Sequence, residues 1–227
     1  KELLAQIKAE KEQLIKDKKI KKEKPLPEIT EEEIPFEIPE SWKWVRLGDV
    51  ACVNGGYAFK SINFAPNGVR VIRISDFNER GFINTKIVRH NYDESMEMFL
   101  LEEKNILLCM TGGTVGKSYF ITKLDEPMMT NQRVATIKVV GLIEEYVNLL
   151  ILAPITQSVI NKSKNSTNDN ISMETINGFM VPVPPLAEQK RIVAKIEELL
   201  PYIEQYDKAY TKLEAFNKKF PEDMKKS

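Results

Sequence analysis

The chain has 227 residues, of which 42% are hydrophobic and 29% charged, an ordinary balance for a soluble globular protein. No apolar run reaches the ~18 residues needed to span a bilayer, and two cysteines, Cys52 and Cys109, are too few for a disulfide framework or a zinc site, so a reducing cytoplasm is the simplest setting. The net charge of zero argues neither for nor against a nucleic-acid partner.

Charge is unevenly distributed. Residues 1–24 carry nine lysines against five acids, whereas residues 25–41 carry six glutamates and no base. The chain begins at Lys1, as a fragment or trimmed chain would, and this Lys-rich start lacks the apolar core of a secretion signal. Leu4, Ile7 and Leu14 follow helical spacing among strong helix formers, which predicts a helix over residues 1–22, ended by Pro25 and Pro27. Residues 1–24 form the first unit on this reading. Residues 25–41, with four prolines, read as an extended acidic linker.

From Trp42 the texture changes to short β-rich runs, Val69–Ser75, Asn105–Met110 and Val134–Val140, separated by Gly55-Gly56, Asn67-Gly68, Gly81 and Gly112-Gly113. Residues 144–160 read as a helix that restarts near Ala153, because Pro154 cannot continue it. Asn161–Asn170 is polar and turn-rich, and Ile171–Val183 returns towards a strand before Pro184-Pro185. Residues 42–185 are thus an α+β domain, β-heavy and without repeats.

The tail, 186–227, is the most regular part. Ile192, Ile196, Leu199, Ile203, Tyr206, Tyr210, Leu213, Asn217 and Phe220 recur at alternating steps of four and three, which is a heptad seam. Pro201 falls at the outermost heptad position, where its ring points away from the seam. A helix from Leu186 to Phe220 reaches roughly 50 Å at ~1.5 Å per residue. That is too long for one small domain, so it needs a second helix, of which the N-terminal one is the nearest candidate.

Catalytic constellations are missing. Gly112–Ser118 approaches a phosphate-binding loop, but the position that must be glycine is Thr111. His90, beside Arg89 and Asn91, reads as a lone surface histidine. Val183-Pro-Pro-Leu186 has the wrong neighbours for an amino-methyltransferase loop, and no Gly-x-Gly-x-x-Gly fingerprint exists. No metal ligand set is expected, and no cofactor.

Three stretches together resemble the target-recognition domain of type I restriction-modification specificity subunits. They are Ile38–Val50 at the entry; Met110–Lys117 with Asn131–Val134 in the centre; and Ile171–Ile176 with Val183–Val193 at the exit. The resemblance covers nearly the whole chain. It implies a mixed, β-rich α+β recognition domain plus long helices forming an antiparallel coiled coil. It also implies that the chain corresponds to a C-terminal half or a natural half-subunit, with residues 1–24 as the end of a central spacer helix. The implied partners are double-stranded DNA, methyltransferase subunits and, through them, restriction subunits. S-adenosylmethionine, ATP and magnesium then belong to those partner subunits, and an isolated half pairs with a second copy.

Reading base edges requires Arg, Lys, Asn, Gln, Ser or Thr on loops held by a rigid scaffold. The candidates are Tyr57, Lys60 and Ser61 in the Gly-aromatic loop, whose aromatics could equally pack into the core. With them stand Arg73; Thr111, Thr114 and Lys117 in a loop whose N–H groups suit phosphate; Asn131, Gln132 and Arg133; and Lys164 and Asn168. Arg70 and Arg73 lie at odd spacing on one strand, so at most one faces DNA. Two rival readings remain: a non-DNA interaction domain with a coiled-coil oligomerisation tail, and a nucleotide-using enzyme at Gly112–Ser118.

Overall fold

The computed structural model describes residues 2–17, 19–21, 24–164 and 169–223, with side chains described up to Phe216. Two compact units emerge, residues 1–186 and 187–227.

In the first unit, helix α1 (Glu2–Lys16) lays Ile7 against the domain, where it is 1% exposed. Gly141 makes that approach possible. Its φ is +68°, and a Cβ there would lie 2.5 Å from Ile7 Cγ1. Lys11 adds a tether, donating from Nζ to the carbonyls of Gly48 and Ala51, the latter at 2.8 Å. The helix is shorter than its sequence predicts. It ends at Lys16, where Lys19 N–H donates back to the Leu14 carbonyl at 2.9 Å. In a continuous helix Ile15 and Ile20 would point ~140° apart; the turn lets both line one cavity.

The acidic stretch is also more ordered than its composition implies. It contains a 3-10 turn, Glu31–Glu33, and docks through Arg46. The Arg46 guanidinium, buried at 7% residue exposure, donates to both Glu33 carboxylate oxygens at 2.8 and 2.9 Å and to the Pro27 carbonyl at 3.2 Å. The Thr30 backbone N–H, then Arg46, hold the Glu33 carboxyl below its ordinary value of 4.5. A carboxyl depressed on folding stabilises fully above its unfolded value, and that stabilisation is lost as pH falls through the folded one. The docked linker should therefore loosen below about pH 4.5. Trp44, which meets Phe36 edge-to-face at 5.1 Å, reports this by fluorescence; a Glu33→Gln variant should lack that component of the acid transition.

Among the described residues twelve strands build the domain: β1 (Lys43–Arg46), β2 (Ala51–Gly55), β3 (Phe64–Ala65), β4 (Val69–Ile72), β5 (Phe77–Asn78), β6 (Gly81–Phe82), β7 (Val88–His90), β8 (Ile106–Cys109), β9 (Ser118–Phe120), β10 (Met128–Thr130), β11 (Val134–Val139) and β12 (Met180–Val183). A short helix, α2 (Leu47–Val50), joins β1 to β2. One four-stranded sheet runs β2-β11-β8-β9, all antiparallel; the other runs β10-β4-β7-β3, with β10 and β4 parallel. Strand β8 is buried at every residue, as its unbroken apolar run requires of a strand covered on both faces. One core cluster, Ile72, Phe77, Leu101, Leu107, Cys109, Ile121, Met128 and Val134, draws from both sheets. Strands β1 and β12 pair antiparallel, so entry and exit of the domain lie side by side. Pro182 is tolerated because β12 has a single neighbour.

Helices α3 (Glu144–Leu152) and α4 (Pro154–Lys164) restart at Ala153, whose extended ψ of 150° accommodates Pro154. The helix runs on to Lys164, four residues into the stretch that reads as loop. Before β12 the chain forms helix α5 (Met173–Asn177), capped by Ser172 accepting from Thr175 N–H, where the sequence points only to a strand. His90 is corrected too. It is 9% exposed, because pairing of β7 with β3 and β4 turns its ring in against Phe59 at 4.9 Å.

The second unit holds α6 (Leu186–Asp223), 38 residues that pass through Pro201 without a break. Leu199, Ile203, Tyr206, Tyr210 and Leu213 are each more than 40% exposed, and Tyr206 stacks on Tyr210 at 6.1 Å. Ile192 and Ile196 lie on the same seam. The side chain of Phe220 is outside the described residues.

Candidate nucleic-acid interface

Four loops distant in sequence are tied into one rim by backbone hydrogen bonds. Tyr57 N–H donates to the Thr130 carbonyl at 2.8 Å, and the Tyr57 carbonyl accepts from Gln132 N–H at 3.0 Å, joining the loop after β2 to the one between β10 and β11. Met110 N–H donates to the Arg133 carbonyl at 2.9 Å, bringing in the loop after β8. Gly112 N–H donates to Asp169 at 2.8 Å, and Thr111 bridges Asn170, attaching the segment after α4. Gly116, at φ +81°, lies so close under α4 that a Cβ would sit 2.3 Å from Ile160 Cγ2 and 3.6 Å from Lys164 Cε. Bonds between main chains of different loops fix relative positions with little freedom, the rigidity that sequence reading demands.

The nominated residues divide by what their side chains do. Lys60, Ser61, Gln132, Arg133 and Lys164 are exposed on this rim. Lys60 precedes and Ser61 opens a 3-10 turn, Ser61–Asn63, whose tip presents Ile62 at 88% exposure. Gln132 and Arg133 make no side-chain hydrogen bond or ion pair with any described residue, so a long amide and a guanidinium fork remain free. Asn131 is half-buried, its Oδ1 accepting from Arg133 N–H at 3.3 Å. Thr111 and Thr114 are half-buried in the 3-10 turn Gly112–Thr114. Asn168 lies outside the described residues.

Three nominated residues brace the rim from within. Tyr57 packs its ring against Phe59 at 4.9 Å and Phe99 at 5.4 Å, beside buried Val69, Met96 and Met129. Arg73 is held by a two-pronged pair to Asp76 at 2.7 and 3.0 Å and by the Lys86 carbonyl at 2.8 Å. Its neighbour Arg70 is buried on Asn84, Ile83 and Glu126. Lys117, expected to meet phosphate, turns inward instead: Nζ donates to the Ile74 carbonyl and stands 4.9 Å over the Phe77 ring. The N–H groups of Gly112, Val115, Gly116 and Lys117 are likewise consumed by protein carbonyls. The glycine loop thus joins antiparallel strands β8 and β9, with these four N–H groups engaged by protein carbonyls, and no helix follows it directly.

Cys109 offers no nucleophile. Burial pushes its thiol up, against smaller opposing effects of Lys117 and Thr114. Among the described residues, no group of three or more His, Cys, Asp or Glu side chains converges on a metal position. No described helix is long and apolar enough to cross a membrane. Sequence reading did not single out Arg80, whose side chain is 89% exposed at the tip of the β5–β6 hairpin and pairs with Glu79 at 3.9 Å. Its signal was the pair Phe77 and Phe82 around a turn closed by Gly81 at φ +144°.

A family model described as the type I restriction modification DNA specificity domain matches residues 39–215. The type I restriction enzyme EcoAI specificity subunit of Escherichia coli is 34% identical over 88% of this chain and 35% of its own length. The EcoEI specificity subunit of the same organism is 26% identical over 90% of this chain and 36% of its own. The chain thus spans about a third of these relatives. The crystal structure of the HsdS subunit from Thermoanaerobacter tengcongensis superposes with a TM-score of 0.61 at 17% identity, over 92% of this chain and 48% of that one. A structure titled for complex assembly and conformational transition of the type I R-M system gives the same score and identity, over 94% and 50%.

Proposed function

Because the chain belongs to the type I restriction-modification DNA specificity domain family, we propose that residues 42–185 read base sequence in double-stranded DNA through the cross-tethered rim. Family membership sets the broad role as DNA sequence specificity, without chemistry of its own. One observation carries the finer reading. The loop between β10 and β11 is pinned on both sides, at Tyr57 and Met110, yet leaves Gln132 and Arg133 free and exposed. A guanidinium fork matches the O6 and N7 acceptors of guanine, and a carboxamide the edge of adenine. Lys60 and Lys164, both exposed, would meet phosphates and set register on this reading.

On this reading the domain directs methyltransferase and endonuclease subunits in the cytoplasm to one half of a bipartite site. Those subunits supply S-adenosylmethionine, ATP and magnesium. The exposed α6 seam accepts a second helix, supplied by a second copy when only this half is present, as an antiparallel coiled coil. Two-fold pairing would place two readers on half-sites about one turn, ~34 Å, apart and make the target palindromic.

The test is duplex selection with purified chain, alone and with a methyltransferase subunit, across a salt series. A selected motif with steep salt dependence is expected. No duplex binding at low salt, even with the methyltransferase, would favour the protein-interaction reading. Once a motif is known, Arg133→Ala should cost about 1–3 kcal/mol on the cognate duplex and relax preference at one base pair. A uniform loss across all sequences would show that Arg133 touches phosphate only.

A further inference from the structure

The surplus of lysine in the first 24 residues has no part in the reading rim. Part of it converges on a cavity of about 150 Å³ between the turn after α1 and the start of the domain. Lys11, Lys21 and Lys24 line it, with Asn54 of β2. Asp49 is the one carboxylate among the described lining residues, and its Oδ2 already accepts from Arg46 N–H at 3.0 Å. Lys11 spends two donors on the carbonyls of Gly48 and Ala51, leaving a third N–H. Neither Lys21 nor Lys24 forms an ion pair with a described carboxylate, so an anion entering the cavity would supply the partner they lack. The volume equals the share of about five waters, enough for a phosphate group.

We propose that this cavity binds a phosphate of the DNA backbone. The assignment rests on the duplex-binding reading above and extends the interface to the N-terminal segment. Geometry favours the duplex as source. Asn54 stands three residues before Tyr57, the anchor of the rim, about 10 Å along the strand. That distance corresponds to about three steps of ~3.4 Å along a duplex. A helix that docks by Ile7 and Lys11 thereby holds Lys21 and Lys24 at the cavity that Asn54 of β2 also lines.

The experiment compares the full chain with a Lys21→Gln/Lys24→Gln double variant on the selected duplex, between 50 and 200 mM salt. Lys11 is left intact, because its bonds hold α1. Each phosphate contact contributes ~0.9 to the slope of log affinity against log salt. The variant should lose about that much slope, so the wild type should lose about threefold more affinity than the variant over this range, with base preference unchanged. Lys208→Gln/Lys212→Gln on α6 should leave the slope unchanged. A slope identical to wild type in the cavity variant overturns the assignment. So does an unchanged slope with saturable binding of inorganic phosphate that the variant abolishes, which would give the site to a free anion. If the wild type binds no duplex, the functional reading fails first, and that failure is distinguishable because no slope exists to compare.

Discussion

Replacing Gly56 by alanine is expected to destabilise the domain by about 3 kcal/mol or more, since a Cβ there meets backbone that cannot yield. It would lie 2.3 Å from the carbonyl oxygens of both Thr130 and Asn131. These atoms belong to the strand end that Tyr57 pairs with, so relief requires prising the loop after β2 from the β10–β11 loop. A melting temperature lower by about 6–12 °C follows for a unit of this size. Duplex affinity should fall with it, because Gln132 and Arg133 lose their positioning. Gly113→Ala is the control. A Cβ there meets nothing within 4 Å, so its melting temperature should match wild type. Thermal unfolding of both variants decides the matter; a Gly56→Ala protein that melts with wild type would show that the rim is not built on this contact.

Phe77→Ala should cost about 3–5 kcal/mol, the range for removing a fully buried aromatic ring. Phe77 is 0% exposed and packs with Ile72, Leu107 and Cys109 in a core cluster shared by both sheets. The same ring carries the Lys117 ammonium on its face. Its loss leaves a void and withdraws one of two supports from Lys117, whose other support is the Ile74 carbonyl. Phe77→Leu keeps most of the volume and should cost under about 2 kcal/mol. Denaturant unfolding measures both. If the alanine variant binds duplex as tightly as wild type at a temperature where it is fully folded, the Gly112–Ser118 loop does not depend on this core for its shape.

The rim explains why one family-like motif misleads at the level of residues. The run Met110–Lys117 carries the resemblance, and its glycines and lysine look made for phosphate. Yet its amides close the β8–β9 connection, and its lysine caps an internal carbonyl. Lys117 and four of the loop's amides thus serve the fold. The free side chains stand instead at Gln132 and Arg133, which carry weaker sequence signals.

Local chemistry alone determined several features. The long C-terminal helix followed from an apolar repeat, because periodicity is written in neighbouring residues. The helix restart at Ala153 followed from Pro154, which removes a donor and crowds the preceding turn. The β-rich middle followed from β-branched runs between glycines. What needed the tertiary structure was everything set by partners far along the chain. Burial of His90, the inward turn of Lys117, the pairing of Arg73 with Asp76 and Lys86, and the docking of the acidic stretch on Arg46 depend on which strands adjoin. So does the early end of α1, which lets Ile15 and Ile20 share one cavity. A polar side chain looks the same in sequence whether it reads a ligand or satisfies a carbonyl, and only the neighbour that folding delivers decides between the two.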